Sequence, residues 1–73
     1  MTEFTVIGNF KCIKAINTIV IEAGDSIITI TVSENMAKDL IYICPRTSVK
    51  VKGIIMDNNE LVAKSCHILA GER

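Results

Sequence analysis

Residues 26–41 read SIITITVSENMAKDLI, and the spacing of the apolar residues changes inside that stretch. From Ile27 to Ser33 the period is two. Ile28, Ile30 and Val32 share one side, while Ile27, Thr29, Thr31 and Ser33 share the other. That alternation predicts a half-buried strand. From Ser33 onward the spacing is helical, with Met36, Ala37, Leu40, Ile41 and Cys44 on one face and Lys38 and Asp39 on the other. Ser33 suits an N-cap, and Glu34 suits the positive end of the helix dipole. Pro45 is expected to stop the helix, because the residue before a proline is pushed out of the helical region.

Working back from this stretch, Thr18 to Glu22 alternates again, with Ile19 and Ile21 opposite Thr18, Val20 and Glu22. The cluster Ala23-Gly24-Asp25-Ser26 is a hairpin turn that joins this strand to the next. Earlier still, Phe4, Val6, Gly8, Phe10 and Cys12 alternate with Thr5, Ile7, Asn9 and Lys11. This predicts a first strand over Phe4 to Ile13, with Gly8 marking a bend or a close backbone approach. Lys14 to Asn17 reads as a connection. Forward of Pro45, Ser48 to Met56 forms a fourth strand with Val49, Val51 and Gly53 inward and Ser48, Lys50, Lys52 and Ile54 outward. Asp57-Asn58-Asn59 is a turn of residues that tolerate left-handed backbone. Glu60 to Leu69 is a fifth strand, and a bulge is expected there because both parities carry apolar residues. Ala70 to Arg73 reads as a tail.

The predicted fold class is therefore all-β: five strands, with one short helix between strands 3 and 4. This is the arrangement of the OB-fold, a Greek-key barrel. Closing the sheet buries the inward Val and Ile rows and removes exposed edges. The stretches Phe4–Phe10, Ser26–Ile41, Thr47–Ile55 and Asn59–Leu69 resemble, in order, strand 1, strand 3 with its helix, strand 4 and strand 5 of bacterial single-stranded DNA-binding proteins. A similar pattern occurs in the OB domain of bacterial replicative DNA polymerase α subunits. The resemblance spans nearly the whole chain, and it implies a barrel that binds single-stranded DNA, or RNA, in replication or recombination. Members of that family stack bases on Trp and Phe. Here there is no Trp, and the aromatic residues are Phe4 and Phe10, at inward parity, and Tyr42, expected on the helix. Stacking is worth about 1–3 kcal/mol per base, so binding by this chain would rest on charge and hydrogen bonds.

Composition narrows the classes further. A chain of 73 residues is one domain, and at this length only about 60% of the unfolded surface is buried. Hydrophobic residues make up 49% of the chain, which offsets that handicap. Eight basic and eight acidic side chains cancel, so no global field draws in a polyanion and any such binding must come from local clustering. No secretory leader and no apolar run of membrane-spanning length is read. Cys12, Cys44 and Cys66 form no metal-binding pattern with the lone His67, so reduced, mostly buried cysteines and a cytoplasmic location are expected. No cofactor, metal or catalytic constellation is expected, because the glycines are isolated and no carboxylates are paired.

The candidate nucleic-acid-binding residues are Lys11, Lys14, Thr18, Thr29, Thr31, Lys50, Lys52 and Asn58. Lys11 and Lys14 flank the first connection, one rim of an OB groove. Lys50 and Lys52 alternate outward on strand 4, with Arg46 before them and Lys64 on strand 5. Thr18, Thr29 and Thr31 lie on the outer side of the central hairpin, and Asn58 on the opposite rim. Each has a plainer reading. Outward lysines solvate a barrel and guard its edges, threonine favours strands, and asparagine favours turns. Ile7, Val20, Ile27 and Ile54 are apolar at outward parity, and grouped together they would make a subunit interface. A homo-oligomer is expected on that ground. The DNA-binding reading expects an oligomer or a replication or recombination protein as partner, and the rival reading is an OB-type protein-interaction subunit that binds no nucleic acid.

Overall fold

The computed structural model describes residues 2–15 and 17–69. Met1, Ile16 of the expected first connection, and the expected tail Ala70–Arg73 lie outside the described residues. The elements run β1 (Thr2–Ala15), β2 (Thr18–Ala23), β3 (Ser26–Thr31), α1 (Glu34–Leu40), β4 (Ser48–Ile55) and β5 (Leu61–Ile68). The strands form a closed barrel in the order β1-β2-β3-β5-β4. The expected all-β class, five strands and one helix after the third, is what the chain adopts.

The barrel closes because β1 is long enough to pair twice. Its first half, Thr2 to Asn9, runs antiparallel to β4, and its second half, Asn9 to Ala15, runs antiparallel to β2. β2 and β3 form the expected hairpin, with Ala23 opposite Ser26 across a two-residue turn. β4 and β5 form the second hairpin. The ring is completed by a single parallel bridge between Thr31 and Val62. Below that bridge β3 and β5 part, and α1 lies against the core there through Ala37 and Leu40.

The core follows the alternation. Ile19, Ile21, Ile30, Val49 and Val51 are fully buried, each contributing about 1.5–3 kcal/mol relative to exposure. Two inward positions are glycines for steric reasons. A Cβ on Gly8 would sit 2.5 Å from the Glu22 carbonyl oxygen, and one on Gly53 would overlap the Val62 carbonyl oxygen. At both, one backbone passes directly over another, as expected of glycine within a strand.

Several expectations are corrected. β1 extends beyond Phe4–Ile13 at both ends, taking in Lys14 and Ala15 of the expected connection. Between Phe10 and Cys12, and again between Ile13 and Ala15, its pairing with β2 slips by one residue, leaving Lys11 and Lys14 as bulges. The first slip inverts the parity, so Cys12 faces solvent and Ile13 packs against the core instead. Cys44 is also exposed and Cys66 is half-buried, so the cysteines are not mostly buried. Val20, expected on the outer side, is only 8% exposed.

The helix ends at Leu40, well before Pro45. Ile41 is its C-cap, and the Ile43 N–H donates to the Leu40 carbonyl at 3.0 Å in a tight turn. That turn brings Ile43 against the core and leaves Ile41 and Tyr42 outside. Three of the residues 41–44 are β-branched or aromatic and gain little from continuing a helix.

Candidate functional site

The registers assemble the outer surface into two walls. On one wall, β1, β4 and β5 set Thr5, Lys52 and Ser65 in one row and Ile7, Lys50 and His67 in the next. Asn9 and Ser48 follow, joined by a hydrogen bond from the Ser48 Oγ to the Asn9 Oδ1 at 3.2 Å. On the other wall, Cys12, Val20 and Thr29 form one row, and Ala15, Thr18, Thr31 and Val62 another. A third row there is Asn9, Glu22 and Ile27.

The sequence-derived residues divide between these walls. Lys50 and Lys52 stand on β4, which β1 separates from β2 and β5 separates from β3. Lys11, Lys14, Thr18, Thr29 and Thr31 belong to the β1–β2–β3 side, and Asn58 to the turn between β4 and β5. The eight residues therefore do not make one continuous groove. The four outward apolar residues are divided as well. Ile7 lies opposite Lys50, Ile54 opposite Val62 and Ile27 opposite Glu22, while Val20 is buried.

Local chemistry distinguishes the walls. On the β2–β3 wall the Thr31 hydroxyl already donates to the Glu60 carboxylate at 2.6 Å. Asn58 uses its side-chain oxygen to accept the Glu60 N–H at 3.1 Å, closing its own turn. Glu22 stands in the same wall, with Lys11 and Arg46 beside it lining a cleft of about 360 Å³. Arg46 has a positive φ of 75°, and its N–H donates to the Phe10 carbonyl at 2.7 Å, which holds this turn against the Lys11 bulge.

The β4 wall is the basic one. In the segments 2–9, 48–55 and 61–68, Lys50, Lys52 and Lys64 face one carboxylate, Glu3. Lys64 reaches this wall through a bulge. Lys52 pairs with Ser65 but Gly53 pairs with Ala63, so Lys64 is the additional residue and opens outward beside Ser65. The apolar residues at both parities of β5 announced such a bulge without locating it.

Tyr42 is the residue whose placement on the helix is corrected with most consequence. It lies past the helix end and is 88% exposed, the one aromatic on the outside among the described residues. Among thiols, burial pushes that of Cys66 above its ordinary pKa. Among the described residues no three His, Cys, Asp or Glu side chains come together as metal ligands. Among them, too, no helix is long and apolar enough to cross a membrane. No family model matches the chain, and no curated protein matches it in sequence.

Proposed function

We propose that this chain is a small non-enzymatic OB-type module that binds single-stranded DNA through its phosphates, tolerant of sequence, in replication or recombination. The observation that carries this reading is the row of Lys50 and Lys52 on β4, with Lys64 beside them and Glu3 as the only carboxylate on those strand segments. A chain of zero net charge has spread its charges unevenly, and a local cluster of ammonium groups suffices to displace counterions from a strand. Thr18 and Thr29 on the other wall, with Lys11 and Lys14 on their bulges, supply a second set of contacts for a strand that crosses the barrel end. Tyr42 offers one exposed ring on which a base can stack.

The test is fluorescence polarisation with labelled oligo-dT over a salt series. Replacing both Lys50 and Lys52 by Glu is expected to weaken binding at low salt by about tenfold or more, since each exposed charge pair contributes up to about 1 kcal/mol. It is also expected to flatten the log–log salt slope by about 1.4, because two phosphates of a single strand are no longer neutralised. An unchanged affinity and slope would remove the assignment.

A second reading, an OB-type protein-interaction subunit, is favoured by Ile7 and Ile27, which are 59% and 54% exposed on different strands. It expects no oligonucleotide binding at low salt and one dominant protein partner in a pull-down. Replacing Ile7 by Ser would then weaken capture of that partner.

A further inference from the structure

We propose that the cleft between β1 and the β5 bulge seats one phosphate group, with Lys52 and Lys64 supplying charge and the Thr5 and Ser65 hydroxyls supplying hydrogen bonds. The cleft has a volume of about 310 Å³ and is lined by these four together with Glu3, Phe4, Gly53 and Ile54. At about 30 Å³ per water, it has room for a phosphoryl group and its first shell of solvent.

The backbone builds the site. Gly53 lets β5 cross so closely that the Val62 carbonyl oxygen and the Ala63 Cα occupy the place of a Cβ. The register then slips between Lys52 and Gly53, and the slip turns Lys64 and Ser65 to the same side as Lys52. Thr5 stands directly opposite Lys52 on β1, as Ser65 does on β5. Lys52 and Lys64 both line the cleft, so an anion seated there meets two ammonium groups. Four donor groups suit the several acceptor oxygens of a phosphoryl group better than the two of a carboxylate. Glu3, at the rim, opposes any anion there and sets the affinity low.

The seat requires only the phosphoryl group, which a DNA backbone or free phosphate both supply; its backbone form rests on the function proposed above. The experiment is a heteronuclear NMR titration of the whole chain, exchanging sodium chloride for sodium phosphate at constant ionic strength, run beside an oligo-dT titration. Phosphate is expected to move the resonances of Thr5, Lys52, Lys64 and Ser65 along saturable curves. Lys64→Gln is expected to weaken that binding about fivefold, and Glu3→Gln to tighten it about twofold, the range of exposed charge pairs. Lys38→Gln, on the helix, is expected to change nothing. Glu3→Gln guards against misfolding as an explanation, because a damaged site does not bind more tightly. Phosphate shifts no larger than those from chloride, with Lys64→Gln and Glu3→Gln both without effect, would overturn the seat even where oligo-dT binds elsewhere. Saturable phosphate binding with no oligo-dT binding keeps the seat for free phosphate and removes the nucleic-acid reading instead. Parallel weakening of phosphate and oligo-dT binding in Lys64→Gln puts a backbone phosphate in it.

Discussion

A methyl group on residue 53 would overlap the Val62 carbonyl oxygen, with the Ala63 Cα and the Phe4 ring each 2.9 Å away. Two of those three neighbours are backbone atoms that no rotamer change can move. Gly53→Ala is therefore expected to lower the free energy of unfolding by about 1–3 kcal/mol or more, the range for overpacking a tight interior. It should also change the bulge that brings Lys64 beside Lys52. Urea unfolding measures the first effect, and a wild-type midpoint for Gly53→Ala would show that the crossing is slack. The same crowding, with the Glu22 carbonyl and the Ile21 side chain, is found at Gly8. Of the bend or close approach expected at Gly8, the close approach is what the fold contains, and a glycine inside a strand is a legible mark of it. The direction of Cys12 was not legible. A single inserted residue at Lys11 reverses the side chains that follow it in β1, and nothing in an alternating pattern marks where an insertion falls.

At the level of elements, the strands were legible because each buries one side and leaves the other wet. Ile28, Ile30 and Val32, and Val49 and Val51, alternate inward as expected. The helix start was equally plain. Ser33 is extended, with φ −71° and ψ 161°, and its hydroxyl oxygen accepts the Met36 N–H at 3.1 Å. A helix of seven residues has little stability of its own, so Ser33→Ala is expected to destabilise the protein by about 1 kcal/mol. Ser33→Asp is expected to restore the loss, since aspartate caps as well as serine. Thermal or urea midpoints for the pair check this, and a failure of Asp to rescue would mean that Ser33 matters for something other than the cap. The helix ends earlier than its apolar spacing predicts for a reason of geometry. The spacing of Ile41 and Cys44 continues the apolar face, but the tight turn at Leu40 already delivers Ile43 to the core. Tyr42 is left in solvent as a result, so this exposed ring was not legible behind a helix that the fold had no need to continue.

Across the whole molecule, net charge concealed what the barrel separates. Placing β4 across from the β2–β3 hairpin divides Lys50 and Lys52 from Thr18 and Thr29, and that division depends on pairings between residues far apart in the chain. The same topology decides where the barrel opens. Val49 and Val51 in β4 pair with β1 on one side and β5 on the other. β3 meets β5 through the Thr31–Val62 bridge alone, with the Thr31–Glu60 hydrogen bond across the same gap. Local openings follow the path that exposes the least buried apolar surface, so the seam between β3 and β5 should part while the sheet of β1, β4 and β5 stays intact. Native-state hydrogen exchange is expected to give Thr31 and Val62 opening free energies well below those of Val49 and Val51, the latter matching global unfolding. Glu60→Ala, which removes the carboxylate that Thr31 donates to, should lower the seam values while leaving the Val51 value within about 0.5 kcal/mol, as for other surface changes. Equal values at Thr31 and Val51 would mean that the ring opens only as a unit. The parallel bridge would then hold the barrel as firmly as its antiparallel ladders, and α1, packed below the seam, would be the element that secures it.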